Sequence, residues 1–197
     1  MTNFEPARIN ALHAGSLLLT PDASDARPAT DIVLQCLKAI GLIDAALPVG
    51  DNRYCSGEHL FDLLAFTGCA VQFPSATNAA NGLMVRLEGP FNAPQLRVGR
   101  NSRPPRCPNC RRSLADWRAQ ICDSTTVQAE ESGRLHCDGC GAINPAWAWQ
   151  WGHHAGSGSF FVIVEPVFPG EGQPLPRLLE ALKRAHVGPW HHFYVQE

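Results

Sequence analysis

Residues 104–145 read PPRCPNCRRSLADWRAQICDSTTVQAEESGRLHCDGCGAINP, and this stretch decides how the rest of the chain is divided. It holds five cysteines, four of them in two C-x-x-C pairs, Cys107-Pro108-Asn109-Cys110 and Cys137-Asp138-Gly139-Cys140, separated by residues 111 to 136. Two residues between thiolates let each pair wrap one face of a tetrahedral ion at about 2.3 Å per metal–sulfur bond, and two such pairs fill all four positions. Gly139 and Gly141 supply the backbone freedom the second turn needs to fold under its sulfurs. Iron would use the same ligands, but zinc suits a closed thiolate site and needs no electron-transfer partner, so one Zn2+ per chain is the expected cofactor. A closed site offers no coordination position to water or substrate. The metal is therefore expected to be structural, its binding energy folding a segment that holds little of its own core.

The segment resembles a zinc ribbon, a module of two C-x-x-C knuckles on β-hairpins. The resemblance covers about a fifth of the chain and implies Cys107, Cys110, Cys137 and Cys140 as the ligands. Two features depart from the pattern. Arg111 stands where many ribbon knuckles have Gly, and the gap of 26 residues exceeds the roughly 15 to 20 of the common spacing. Ser113, Leu114, Trp117 and Ile121 can fill the extra length with a helical turn, which leaves a treble-clef-like variant open.

Outward from this stretch the chain alternates apolar runs with helical periodicity. Leu17 to Leu19 reads as a strand, and Ile32, Val33, Cys36, Leu37 and Ile40 recur at helical spacing, with Gly41 placed to end the helix. A second short helix is expected after a Ser56 cap, carrying Leu60, Phe61, Leu63, Leu64 and Phe66 and closed by Gly68. Cys69 to Phe73 reads as a buried strand, paired with a half-exposed strand over Leu83 to Glu88. On the other side, Gly156 to Ser159 reads as a flexible connector and Phe160 to Val164 as an apolar strand. Leu175, Leu178, Leu179 and Leu182 predict a helix that follows prolines and stops before Gly188, and Trp190 to Gln196 closes the chain as a strand. The order predicts an α+β fold, a mostly antiparallel sheet with helices on one face. Residues 1–103 and 146–197 together make one domain in this reading, and 104–145 is the inserted four-cysteine zinc ribbon.

The 197 residues, 45% hydrophobic and 17% charged, suit one ordered domain with a small appendage. A net charge of -2 excludes a uniformly basic nucleic-acid binder. Charge is nevertheless concentrated: Arg97, Arg100, Arg103, Arg106, Arg111, Arg112 and Arg118, against Asp116 alone, give segment 97–118 a net +6. Nine basic and seventeen acidic residues leave -8 elsewhere. The arginines and Trp117 are the candidate contacts to an anion or partner, and with Trp147, Trp149 and Trp151 they offer a nucleic acid phosphate anchors and stacking surfaces. In the competing reading the arginines donate to the sulfurs and screen the formal -2 of four thiolates around a zinc ion. The three tryptophans alternate at period two, which aims them to one face of a strand.

Cys55-Ser56-Gly57-Glu58-His59 can place a thiol at a helix N-terminus one turn from a histidine, although no positioned third group accompanies them. Cys36, Cys69 and Cys122 read as core or incidental thiols. His153-His154 and His191-His192 invite a second metal site, but adjacent strand residues point to opposite faces, so at most one of a pair can join a cluster. Gly156-Ser157-Gly158 precedes a strand rather than a helix and lacks the geometry of a phosphate cradle. No apolar run approaches the ~20 residues that cross a bilayer, and the N-terminus lacks an export signal, so a cytoplasmic protein is expected. The expected function is a non-enzymatic binding or adaptor protein with a protein partner and a structural zinc. The alternatives are a nucleic-acid binder using segment 97–118 and a thiol-dependent enzyme around Cys55 and His59.

Overall fold

The structure is a computed structural model that describes residues 15–47, 52–67, 83–122, 133–186 and 188–196. Its strands are β1 (Gly15–Pro21), β2 (Ile43–Ala46), β3 (Arg53–Ser56), β4 (Leu64–Phe66), β5 (Met84–Glu88), β6 (Gln95–Val98), β7 (Arg134–His136), β8 (Ile143–Pro145), β9 (Ala155–Gly158), β10 (Phe161–Glu165), β11 (Gly172–Pro174) and β12 (Trp190–Gln196). Its helices are α1 (Thr30–Ala39), α2 (Leu60–Leu63), α3 (Trp117–Cys122) and α4 (Pro176–Ala185).

Six strands form one antiparallel sheet in the order β12, β1, β10, β5, β3, β2. Register sets Leu17 beside Val164 and Tyr194, and Leu19 beside Val162, so one face of the central strands is uniformly apolar. Val33 and Leu37 of α1, Leu60 and Leu63 of α2, and Leu178 and Leu182 of α4 bury that face. The fold is thus α+β, as the element order predicted. Gly41 ends α1 with φ +73°. The Gly41 amide returns to the Lys38 carbonyl at 3.0 Å and the Leu42 amide to Leu37 at 3.0 Å, a Schellman closure sealed by the buried Leu37 and Leu42.

The other face carries Leu18, Phe161, Ile163 and Phe193, and here the expected connector is something else. Residues 155–158 are β9, buried at every position and paired antiparallel with β6. A Cβ on Gly156 would strike the Phe193 ring and one on Gly158 the Thr20 hydroxyl, so glycine is needed here for close approach rather than for flexibility. β10 reads as continuously apolar because both of its faces are covered.

The expected helix after Ser56 shortens to the four residues of α2, capped at His59 without a side-chain bond. Ser56 instead belongs to β3, its amide bonded to Leu83, and Leu64 to Phe66 leave the helix to pair with β11. β5 is flanked by β10 and β3; Gly68 and Cys69 to Phe73, the latter expected as its neighbour, lie outside the described residues. The outer edge of β12 is sealed by loops: Tyr194 donates to the His153 carbonyl (2.9 Å), Arg100 to Gln196 (2.8 Å), and the Asn101 amide group bonds both Tyr194 and Gln196 at 2.9 Å. Among the described residues no helix is long and apolar enough to cross a membrane.

Candidate metal centre

The two cysteine turns are built alike. Arg111 donates to the Cys107 carbonyl at 2.9 Å and Gly141 to that of Cys137 at 2.8 Å, while the Cys107 and Cys137 amides reach Arg112 and Ala142, each at 2.9 Å. Arg111 and Gly141 take the same left-handed conformation, with φ of +60° and +72°. The expected glycine position of the first knuckle is therefore kept in geometry and filled by arginine. Gly139 serves differently from the expectation: the Arg112 side chain passes where its Cβ would stand.

These turns bring the four thiols together. Cys107 and Cys140 sulfurs are 3.8 Å apart, Cys110 and Cys137 sulfurs 3.6 Å, and all four lie within 4.8 Å of one another. Four sulfurs at the corners of a tetrahedron with metal bonds near 2.3 Å stand about 3.8 Å apart, so the cluster fits one metal ion. Cys107 and Cys137 are buried, and Cys110 and Cys140 close the outer side. Their crowding shifts the thiols in opposite directions. Desolvation raises the Cys107 thiol, but the Cys110 and Asn109 amides and the thiols of Cys137 and Cys140 outweigh it and bring it down to about 7. At Cys140 the Ala142 amide acts downward, while desolvation and the three neighbouring sulfurs push it up to about 12.

The surroundings contradict the expectation that this segment has little core. Leu114, Trp117 and Leu135 pack on Cys107 and Cys137 and continue into Ala146, Trp149, Trp151 and Ala155, with Leu96 and Val98 of β6 against them. α3 is the helical turn expected from Trp117 and Ile121, and β7 pairs with β8 beside it. The Trp117 and Trp151 rings meet edge to face at 5.1 Å. The period-two tryptophan strand does not form, because Ala146–Ala148 turn as a short 3-10 helix. Trp149 and Trp151 are 3% and 7% exposed, and their indole N–H groups are taken by the carbonyls of Asn144 (3.4 Å) and Ala146 (2.8 Å).

The basic segment divides. Arg97 pairs with Glu88 at 2.7 Å and lies over the rings of Phe91 and Phe161 at 5.6 and 5.1 Å, covering the second sheet face. Arg118 stacks on Trp117 at 4.3 Å and donates to the Gly99 and Ser102 carbonyls at 2.9 and 3.3 Å. Trp117 itself is 2% exposed and offers a partner no face. Arg97 and Trp117 thus hold the fold, and Arg118 is tied to it although it is exposed, as Arg100, Arg103, Arg106, Arg111 and Arg112 are.

Cys55 lies within β3 opposite Met84, not at a helix N-terminus, and His59 faces Asp62 at 3.2 Å and Glu58 at 3.4 Å. Cys36 donates to the Ala181 carbonyl at 3.3 Å, and desolvation raises its pKa, as suits a core thiol. Cys69 and the side chain of Cys122 lie outside the described residues. Neighbouring histidines diverge as a strand requires: His191 stacks near Phe193 and His192 near Tyr194, with His153 6.3 Å from His192. Among the described residues, the four cysteines are the one group of three or more ligand side chains close enough for one ion. A hydrogen bond that no local pattern announces joins His191 Nδ1 to Asp22 at 2.9 Å across 169 positions of chain. No family model, curated protein or solved structure matches this chain.

Proposed function

We propose that this chain is a binding or adaptor protein in which residues 104–145 form an inserted zinc ribbon, with Cys107, Cys110, Cys137 and Cys140 holding one structural Zn2+. The closed set of four sulfurs carries the reading: every tetrahedral position is met by protein, so the metal has none left for water or substrate. Zinc fits such a site without a redox partner. The remaining residues, 1–103 and 146–197, form the supporting α+β domain, and the ribbon is docked on it through Leu96, Val98, Trp149 and Trp151.

What the docked segment presents is an exposed Ile143 on β8 and the exposed Arg106, Arg111 and Arg112, with the exposed Arg103 just before it. Exposed arginines and an exposed large apolar side chain are residue types that protein-contact surfaces favour. The nucleic-acid alternative has lost Arg97 and Trp117 to packing, and the thiol-enzyme alternative has no assembled group at Cys55. A cytoplasmic location agrees with thiols kept reduced for metal.

Elemental analysis should find one zinc per chain, and Cys137→Ser should lower occupancy and unfold the segment. A metal-free preparation that stays folded over residues 104–145 defeats the zinc reading. Sub-micromolar, salt-sensitive binding to DNA or RNA that falls with Arg103→Gln and Arg112→Gln would favour the nucleic-acid alternative over the adaptor.

A further inference from the structure

We infer that Arg106, with Ser113 and Gln150 on either side of it, is the point at which the adaptor surface takes a carboxylate of an acidic protein segment. The inference rests on the adaptor reading and names the chemistry of the partner.

Three short pieces of backbone meet beside the first cysteine knuckle. Arg106 forms antiparallel bridges on both flanks, to Ser113 and to Gln150. With Gln150 it exchanges both amide–carbonyl bonds, at 2.9 and 3.0 Å, the pattern of a hydrogen-bonded pair whose Cα atoms stand about 5.5 Å apart. With Ser113 the bonds fall one residue to either side. The Cys107 amide reaches the Arg112 carbonyl at 2.9 Å and the Leu114 amide that of Pro105 at 3.0 Å, the pattern of a non-hydrogen-bonded pair about 4.5 Å apart. Residues directly opposite in antiparallel bridges send their side chains to one face, so Ser113, Arg106 and Gln150 stand in a row.

Burial shows which face that is. Pro105 and Cys107 flank Arg106 in sequence, Leu114 follows Ser113, Trp149 and Trp151 flank Gln150, and all of these neighbours are buried. The row itself is exposed at each of its positions. Among the described residues none of its three side chains has a hydrogen bond or an ion pair. A guanidinium between two neutral hydrogen-bonding groups is thus held outward on a fixed backbone, open to a ligand.

The composition of the row selects the ligand. A guanidinium fork matches the two oxygens of a carboxylate, and the Ser113 hydroxyl and Gln150 amide can donate to the lone pairs that the fork leaves over. The one positive charge of the row balances the single charge of a carboxylate, whereas a phosphomonoester carries about -1.5 to -2 and calls for more than one cation. The alternation that turns Gln150 outward turns Trp149 and Trp151 inward, so neither ring offers a nucleic-acid base a surface here. The exposed Arg103, Arg111 and Arg112 add positive charge to the same stretch of chain and draw an acidic segment toward it.

The test is fluorescence anisotropy of labelled probes titrated with the zinc-loaded full chain. The probes are a short peptide of alternating Glu and Gly, its Gln–Gly counterpart, a phosphoserine–Gly peptide of the same net charge as the first, and an oligothymidylate. The Glu–Gly peptide should bind saturably with Kd below about 1 mM, and the Gln–Gly peptide should not bind. Arg106→Gln should weaken binding about tenfold or more, and Arg106→Lys about threefold or more, since lysine keeps the charge and loses the fork. Ser113→Ala and Gln150→Ala should each weaken it about threefold with net charge unaltered, an effect that a diffuse basic surface does not give. Arg177→Gln, on α4, should leave binding unchanged. The thermal midpoint of each variant is checked against the parent, and if one variant fails to fold, the other two positions decide the matter. Absence of saturable binding of the Glu–Gly peptide overturns the proposal and leaves the adaptor reading standing. So does binding indifferent to Ser113→Ala and Gln150→Ala, binding equal for Arg106→Lys and the parent, or tighter binding of the phosphoserine peptide. Tighter binding of the oligothymidylate overturns the proposal and the adaptor reading together.

Discussion

Arg111 and Gly141 hold equivalent left-handed places in the two cysteine knuckles, yet one carries a long side chain and the other none. An L-residue in that conformation costs roughly 1–2 kcal/mol, while glycine adopts it freely and loses part of the gain to backbone entropy. Arg111→Gly should therefore raise the stability of the zinc-loaded protein by up to about 1 kcal/mol, and Gly141→Ala should lower it by about 1 kcal/mol. The alanine variant isolates backbone conformation, since a Cβ at Gly141 meets nothing within 4 Å. Thermal unfolding of the loaded protein checks both; an arginine variant no more stable than the parent would mean that Arg111 makes a compensating contact. Arg97 and Arg118 show how little residue type says about role. Both look like exposed charges in the sequence, and both spend their guanidinium groups on aromatic rings and on acceptors within the fold.

At the scale of elements, β12 joins the sheet to the loops that seal its edge, and its histidines make that junction sensitive to acid. Desolvation first, then His153 and His191, depress the pKa of His192 below its ordinary 6.5. Asp22 pairs with His191 on the opposite side of the strand, and Tyr194 packs edge-on against the His192 ring at 5.7 Å. Because the unfolded chain binds the proton more tightly, the contribution of His192 is fully present above about 6.5 and is lost as pH falls toward the folded-state value. The urea midpoint should thus drop between about pH 8 and about pH 5.5, and His192→Gln should flatten that drop relative to its own value at pH 8. An equally steep loss in the variant would place the sensitive group elsewhere. The strongly amphipathic α4, by contrast, carries no such burden: Leu178, Ala181 and Leu182 are fully buried and its charges face outward.

For the whole molecule, the second apolar cluster decides how far the loss of metal would travel. Leu114, Trp117 and Leu135 are continuous with Trp149, Trp151 and Ala155, and β9 in turn covers Phe193. If the four cysteines hold the proposed zinc, its removal should therefore release protection in residues 104–151 and, more weakly, in β6 and β9, while β1, β10 and α4 keep theirs. Hydrogen exchange before and after chelation reads this directly. Loss spreading equally through residues 161–165 and 176–185 would show one cooperative unit in place of a docked insertion.

How much of this was legible beforehand follows from the range of the forces involved. The C-x-x-C spacings determined each half of the four-cysteine cluster, because a two-residue turn brings its own sulfurs together with little help from the rest of the chain, while the meeting of the halves, Cys107 with Cys140 and Cys110 with Cys137, is tertiary. Apolar periodicity likewise determined α1, α4, β1, β5, β10 and β12, each of which buries a stripe that it carries in its own residues. The short β2, β3, β6, β9 and β11 carry no such stripe and are strands because neighbours offer them hydrogen bonds. Residues 155–158 show the limit: a run of small residues that reads as a connector becomes a buried strand once Phe193 and Thr20 fill the space above its glycines. The Asp22–His191 pair was likewise decided by tertiary structure alone, since a contact across 169 positions leaves no trace in local pattern and exists only because β1 and β12 pair and set Pro21 beside Trp190.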